Sequence, residues 1–331
     1  MTHIEPIELP EDEPLLPSES LFCESYPNLP RAWDSTMLGL LKTCPRKFYY
    51  TIILGYQSNG FAAHLSFGIA YHKALEQFDK DIFDGIPRAQ AINNAIRFCL
   101  SYGYRDDLGR FRPYDAQYTA EPTKTRDTLV RAVVWYLDHF KDDPAKTFQR
   151  SNGAPAVELS FKINLSDFLT PDGSPFLLCG HLDRVVELDD KLYWMDRKTT
   201  KGALDSRYFR TFTPSNQMSL YNAASQILLG VPMAGGLIDA CQIGVNFTRY
   251  ARHPIHRTRG QMDEWYADTK FWIGQAIDHA VADYWPQNDT RCGDFGGCPF
   301  IGICSKDPKV RTGFLEHSGF IERKWNPLES R

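Results

Sequence analysis

Apolar residues recur three and four apart over most of the stretch from Phe61 to about Asp143. FGIAYHKALEQF, AQAINNAIRFCL and TRDTLVRAVVWYLDHF each carry this spacing, which gathers the apolar side chains into one stripe of a helix. The period then drops to two. In VELSFKINL, Leu159, Phe161, Ile163 and Leu165 alternate with polar partners, the pattern of a half-buried strand. SPFLLCGHLDRVVEL follows the turn PDG, and LDDKLYWMDRKTT reads as the second arm of a hairpin turning at Asp189 and Asp190. Helical spacing returns in QMSLYNAASQILLG, with Thr213 as the expected N-cap, Pro214 at the first position and Gly230 as the stop. A strand near GLIDACQIGVNFT, a partner in RYARHPIHRTRG and a long helix in QMDEWYADTKFWIGQAIDHAVADYW complete the order. Upstream, MLGLLKTCPRKFYY predicts a helix capped by Ser35 and interrupted at Pro45. Helices first, then a small sheet, then helix, strand and helix, predict an α/β domain with a helical insertion.

Composition adds bounds. The 331 residues suffice for one large domain or two ordinary ones, and 43% hydrophobic residues can bury a sizeable core. Residues 1–30 are rich in Pro, Glu and Asp and predict a mobile acidic tail. They hold seven acids and no Lys or Arg, so the formal charge of -4 becomes +3 without them. A basic groove is then easy to accommodate. No apolar run reaches the length of about 18 residues that a membrane span needs. The N-terminus lacks a basic segment followed by an apolar one, so a cytoplasmic location without membrane attachment is expected. Eight cysteines in a reducing compartment need an explanation other than disulfides.

Asp183 lies in GHLDRV on one arm of the predicted hairpin, and Asp196 and Lys198 lie in MDRKTT on the other. Strand side chains alternate, so Asp196 and Lys198 share a face and Arg197 points away. The hairpin lets Asp183 approach Asp196 across the ladder. Two converging carboxylates repel unless a cation lies between them, and Mg²⁺ or Mn²⁺ suits such oxygen ligands. The ion can polarise a phosphate and acidify a bound water, while Lys198 orients that water or stabilises developing charge. These are the parts needed to hydrolyse a phosphodiester.

G-x-x-D, a hairpin and D-x-K-T resemble the core of the PD-(D/E)XK nuclease superfamily, in its RecB-like exonuclease branch. Further residues match that branch in order. His72 in FGIAYHKALEQF resembles its helical histidine, Gln217 and Tyr221 in QMSLY its Q-x-x-x-Y, and Glu158 in VELSF the glutamate often found on the preceding strand. The resemblance runs from about Leu41 to Cys304. It implies a restriction-endonuclease-like core at about 155–250, a small mixed sheet flanked by helices, inside a single nuclease domain over 31–305. The helical part would span about 61–150, and residues 306–331 would form an extension. It further implies His72, Asp183 and Asp196 as metal ligands. Gln217 and Tyr221, four apart on one helix face, would hold the metal site or the DNA backbone.

Cys292, Cys298 and Cys304 are separated by five residues each, and Cys44 lies about 250 residues earlier. Four thiolates can hold an iron–sulfur cluster or zinc. The RecB-like branch includes members with one cysteine ahead of the core and three after it around a [4Fe–4S] cluster, as in AddB and the CRISPR-associated adaptation exonucleases. The resemblance therefore implies a structural cluster, with zinc as the second choice. Its usual C-x2-C-x5-C is widened here at the first gap. Cys23, Cys99, Cys179 and Cys241 read as tail or core cysteines.

Aromatic and basic residues mix in KFYY, RFRPY, RYFRTF and FTRY. Stacking plus backbone charge grips single strands without sequence preference. Together with these clusters, the resemblance implies a metal-dependent exonuclease acting on single-stranded DNA or DNA ends. CRISPR adaptation and phage recombination or replication, with a protein partner from those processes, are the settings it fits. A non-catalytic DNA-end-binding or assembly subunit and a small-phosphoester hydrolase are the alternatives.

Overall fold

A computed structural model describes residues 21–58, 63–105, 111–113 and 121–328. The acidic tail expected over 1–30 falls mostly outside these residues. The described chain divides into two compact units, each built from separate stretches. One comprises the described residues of Met1–Gly60, Ser160–Gly180 and Thr258–Arg331, the other Phe61–Leu159 and His181–Arg257.

In chain order, the first unit opens with β1 (Ala32–Trp33), α1 (Ser35–Thr43), α2 (Pro45–Phe48), one π turn (Tyr49–Ile53) and β2 (Tyr56–Ser58). The cap of α1 is Asp34, not Ser35: the Asp34 carboxylate accepts from the Met37 N–H at 2.7 Å. An aspartate with extended backbone satisfies an orphan donor here, and Ser35 becomes the first helical residue. Cys44 is extended and separates α1 from α2, where Pro45 starts the next helix.

The second unit supplies α3 (Ala63–Phe83), α4 (Arg88–Ser101), β3 (Gly103–Arg105), β4 (Phe111–Pro113), α5 (Arg126–His139) and β5 (Lys146–Thr147). Strands β6 (Val157–Leu169) and β7 (Pro175–Leu188) draw residues from both units. The second unit resumes with β8 (Lys191–Thr200), α6 (Ser206–Arg210), α7 (Asn216–Leu229), β9 (Gly235–Ile243) and β10 (Thr248–Ile255). Leu159, Phe161, Ile163 and Leu165 of β6 are buried, as their alternation requires. Asp189 and Asp190 turn the β7–β8 hairpin with φ of 50° and 57°, the two left-handed residues of a tight hairpin turn. The start of α7 lies later than Thr213: Ser215 is the cap and Asn216 the first helical residue, while Gly230 ends it at φ 63°.

In this unit β8 pairs antiparallel with β7, parallel with β9, and β9 antiparallel with β10. The parallel step needs a crossover, which α6 and α7 provide. All nine residues of β9 are buried, so both faces of the sheet are covered there. On one face, Phe67, Tyr71, Leu75, Ala95, Leu129, Val133 and Cys241 join α3, α4, α5 and β9 in a single core. From α7, Tyr221 packs edge-on against Trp194 of β8. Trp194 stands directly beside Gly236 of β9. A Cβ on Gly236 would lie 2.0 Å from the fully buried indole.

The chain closes in the first unit with α8 (Arg259–Val281), α9 (Ile301–Cys304), α10 (Arg311–His317) and β11 (Phe320–Glu322), which pairs with β2. Trp33 stacks on Phe48 at 5.4 Å and Phe48 on Trp285 at 5.3 Å. Among the described residues no helix is long and apolar enough to cross a membrane. Gly236→Ala is expected to lower the unfolding free energy by about 1–3 kcal/mol through overpacking. Urea denaturation followed by circular dichroism reads this, and an unchanged midpoint contradicts the Trp194 contact.

Candidate active site

The β7–β8 ladder is registered from Leu188↔Lys191 to Arg184↔Met195, and Asp183 and Asp196 follow at its open end. There the Arg197 backbone N–H donates to Asp183 Oδ2 at 2.8 Å, so a side chain fills the place of a strand partner. The same oxygen lies 3.3 Å from His72 Nδ1 on α3. On β8, Lys198 Nζ sits 2.9 Å from Asp196 Oδ1 and 2.7 Å from its Oδ2. Lys198 also donates to Gln217 Oε1 at 3.2 Å, and Gln217 Nε2 donates to the Tyr221 hydroxyl at 2.9 Å. Six of the residues singled out in the sequence thus form two contact groups, His72 with Asp183 and Asp196 with Lys198, Gln217 and Tyr221.

The two carboxylates differ in their fields. Burial alone raises the Asp183 carboxyl, but His72, Lys198 and the Arg197 N–H outweigh it and hold the group well below the usual carboxylate range. For Asp196 burial dominates, Lys198 opposes it, and the Asp183 charge adds to the rise, so this carboxyl is pushed up. Burial disfavours the protonated imidazole of His72, yet the Asp183 charge and hydrogen bond win and its pKa rises.

Among the described residues no three His, Cys, Asp or Glu side chains are gathered as a preformed ion site. Mg²⁺ does not require one: it is commonly held by one or two carboxylates together with water and substrate phosphates. Asp196 is 1% exposed, and its Oδ2 makes no hydrogen bond of good geometry despite the nearby ammonium. Two hard-oxygen carboxylates whose charges repel, Asp183 raising Asp196, fit a divalent cation.

Glu158 stands in β6, half-buried, with a left-handed φ of 51° that a side-chain-bearing residue rarely adopts inside a strand. Sequence reasoning missed Asp79, which pairs with Arg197 behind the strand at 2.6 Å. It also missed Tyr208 as a site neighbour: burial first and then the Asp196 charge raise its hydroxyl pKa. The aromatic–basic runs divide. Phe48, Tyr50 and Phe209 are buried core residues, whereas exposed Phe247 lies under Arg249 at 4.9 Å. Of RFRPY only Phe111–Pro113 lies within the described residues.

The four cysteines of the expected cluster lie in one unit. Cys44 Sγ accepts from the Asn288 N–H at 3.3 Å, and Cys292 Sγ is 4.0 Å from the Asn288 carbonyl oxygen. The Cys298 N–H donates to the Cys292 carbonyl at 2.7 Å. Burial, then the charges of Cys298 and Cys44, push the Cys292 thiol up. Cys304 is also raised, first by burial, with Cys298 and Cys44 contributing. Cys99 and Cys241 are buried, with thiols pushed up to about 12 by desolvation. Cys23 and Cys179 are buried as well.

A depressed Asp183 pKa contributes stability that is present above its unfolded value of about 3.9 and lost as pH falls below it. A raised Asp196 pKa means that ionisation costs stability at neutral pH. In metal-free protein at pH 7, Asp183→Asn should therefore lower the melting temperature and Asp196→Asn should raise it. Differential scanning calorimetry checks this, and shifts of the same sign contradict the assigned fields.

Comparison with known proteins gives the family. A solved structure of a protein from Eubacterium rectale with a provisional exonuclease description is similar at 9% identity. The match covers 82% of this chain and 88% of that one, with a TM-score of 0.44. SSO0001 is similar at 11% identity over 52% of this chain and 66% of that one, with a TM-score of 0.27. No curated protein matches. Residues 35–305 match the family described as the PD-(D/E)XK nuclease superfamily, a stretch that includes every candidate residue from His72 to Cys304. The chain belongs to the PD-(D/E)XK nuclease superfamily.

Proposed function

We propose that this chain is a Mg²⁺- or Mn²⁺-dependent DNA exonuclease of the RecB-like branch, acting on single strands or DNA ends. The observation that carries the reading is the contact chain from Asp196 through Lys198 and Gln217 to Tyr221, beside an Asp183 already engaged by His72. Asp183 and Asp196 would hold the cation, with His72 beside Asp183. When bound, the cation supplies Lewis-acid activation of the phosphate and of a water.

The chain's own groups do the rest. Lys198 is a cation with three N–H donors, and Asp196 and Gln217 fix where it points. A remaining donor is available to orient the attacking water or to neutralise charge growing on the phosphate oxygens. The water gives up a proton to solvent as its oxygen forms a P–O bond, the P–O bond to the leaving nucleotide oxygen breaks, and that oxygen takes a proton from solvent. Gln217 and Tyr221 restrict the lysine to one direction, which is worth most in a transition state with well-defined geometry. Arg131 over half-exposed Trp135 and Arg249 over Phe247 supply the pairing of charge and aromatic surface that single strands favour.

Cys44, Cys292, Cys298 and Cys304 form the proposed ligand set of a structural [4Fe–4S] cluster, or of zinc. Soft thiolate donors suit both, and all four cysteines lie in one unit, where metal binding would have to draw them together. Such a centre would contribute folding energy by joining the start of the chain's core to its end.

Asp196→Ala should abolish metal-dependent degradation of end-labelled DNA in a gel assay with and without Mn²⁺. Undiminished degradation removes the site assignment, and a wild type that binds ends without cutting them favours a non-catalytic subunit. Anaerobically purified protein should be brown and carry about four irons per chain, as four-cysteine ligation of a cubane requires. Elemental analysis showing stoichiometric zinc and no iron overturns the cluster.

A further inference from the structure

The strand that presents Asp196 and Lys198 to one side turns Arg197 to the other. Arg197 is 2% exposed, and a guanidinium stays charged in any protein interior. Its Nη2 donates to Asp79 Oδ2 at 2.6 Å. Asp79 Oδ1 also faces Arg184 Nη1 at 3.6 Å. Each arginine is the chain neighbour of one candidate cation ligand, Arg184 of Asp183 and Arg197 of Asp196. Asp79 lies on α3 seven residues after His72, two helical turns on and on the same face. The helix is therefore tied to the hairpin at two points, His72 to Asp183 and Asp79 to both arginines.

The surrounding layer closes the charges. Arg252 pairs with Asp143 at 2.7 Å and with Asp239 at 3.3 Å, and the Tyr136 hydroxyl also donates to Asp239. Three guanidiniums and three carboxylates are buried or half-buried together. Apolar residues of like volume often stabilise a core as well as such ion pairs do, but ion pairs admit few geometries. What the layer adds over plain packing is a fixed placement of α3.

We infer that Asp79, Arg197 and Arg184 form a positioning clamp that sets His72 against the carboxylate pair and thereby sets the affinity of the site for a divalent cation. The clamp touches neither substrate nor cation. It acts through His72 and Asp183, and as a claim about cation affinity it rests on the proposed nuclease reading.

A double-mutant cycle on the full chain, read by Mn²⁺ calorimetry, tests it. Replacing the pair together, Asp79→Leu with Arg197→Met, removes both members of the closest ion pair, leaves Arg184 on the Thr147 hydroxyl and the Ala145 carbonyl, and should preserve cooperative unfolding. It should raise the half-saturating Mn²⁺ concentration about tenfold, the scale of lost outer supports around metal ligands. His72→Ala should do the same, and adding it to the pair variant should change little more. Affinities that multiply instead, or a pair variant that binds Mn²⁺ like wild type, overturn the clamp. Should the pair variant not fold, Arg197→Lys keeps the charge but not the fork. Hydrogen exchange of metal-free protein then decides: faster exchange over residues 68–76 supports the clamp, and unchanged exchange overturns it. That readout is independent of DNA cleavage, so an inactive wild type would remove the nuclease reading while leaving the clamp to the exchange result.

Discussion

One hydrogen bond, from the Arg197 N–H to Asp183 Oδ2, sets the geometry on which the candidate site depends. Beyond the Arg184↔Met195 pair, Asp183 and not the β7 backbone receives this N–H. A buried N–H without a partner costs about 1–3 kcal/mol, so the carboxylate is anchored by the fold itself. Once Asp183 is fixed to the backbone between Asp196 and Lys198, the spacing of the two carboxylates follows from the strand. The same bond draws in His72, because the oxygen that accepts it also faces the imidazole. A group proposed to hold the cation is thereby also the group that ends a ladder.

The two faces of β8 solve opposite electrostatic problems. On one face Asp183 and Asp196 lie together, Asp183 beside His72 and Asp196 beside Lys198, and burial wins at Asp196 but not at Asp183, so one of them is raised and one lowered. That imbalance is what a cation relieves, and it is tolerated because the opposite face is nearly neutral. There, arginines alternate with aspartates and the aromatic ring of Tyr136 lies 5.8 Å from the Arg197 guanidinium. The unbalanced charge lies on the side proposed to meet substrate, in line with the general trade between stability and function.

Much of the arrangement was legible from local rules. Period-two alternation put Asp196 and Lys198 on one face and Arg197 on the other, and the adjacent aspartates located the turn. Helical spacing put Gln217 and Tyr221 side by side, and their mutual hydrogen bond follows. What escaped depends on partners distant in sequence. Asp79 looks like a surface residue of an amphipathic helix until Arg197, 118 positions later, is seen to need a counter-charge. The Ser35 and Thr213 caps failed for a nearer reason: a neighbouring residue with extended backbone, Asp34 or Ser215, took the position. The division into two units was invisible because each is assembled from separate stretches, and the boundaries carry no compositional mark.

The tight β7–β8 turn has a consequence for the order in which the molecule is made. Asp183, Asp196 and Lys198 lie within sixteen consecutive residues, and hairpins close in about 1–10 μs. His72 precedes them by more than a hundred positions, and Gln217 follows. At a synthesis rate of about 5–20 residues per second, α3 waits several seconds or more for the strand it docks on. The hairpin then folds almost at once, yet Lys198 has no amide to steady it until α7 has also emerged. A nascent chain thus gains its carboxylate pair before its aimed lysine, so the proposed cutting competence waits on the synthesis of α7.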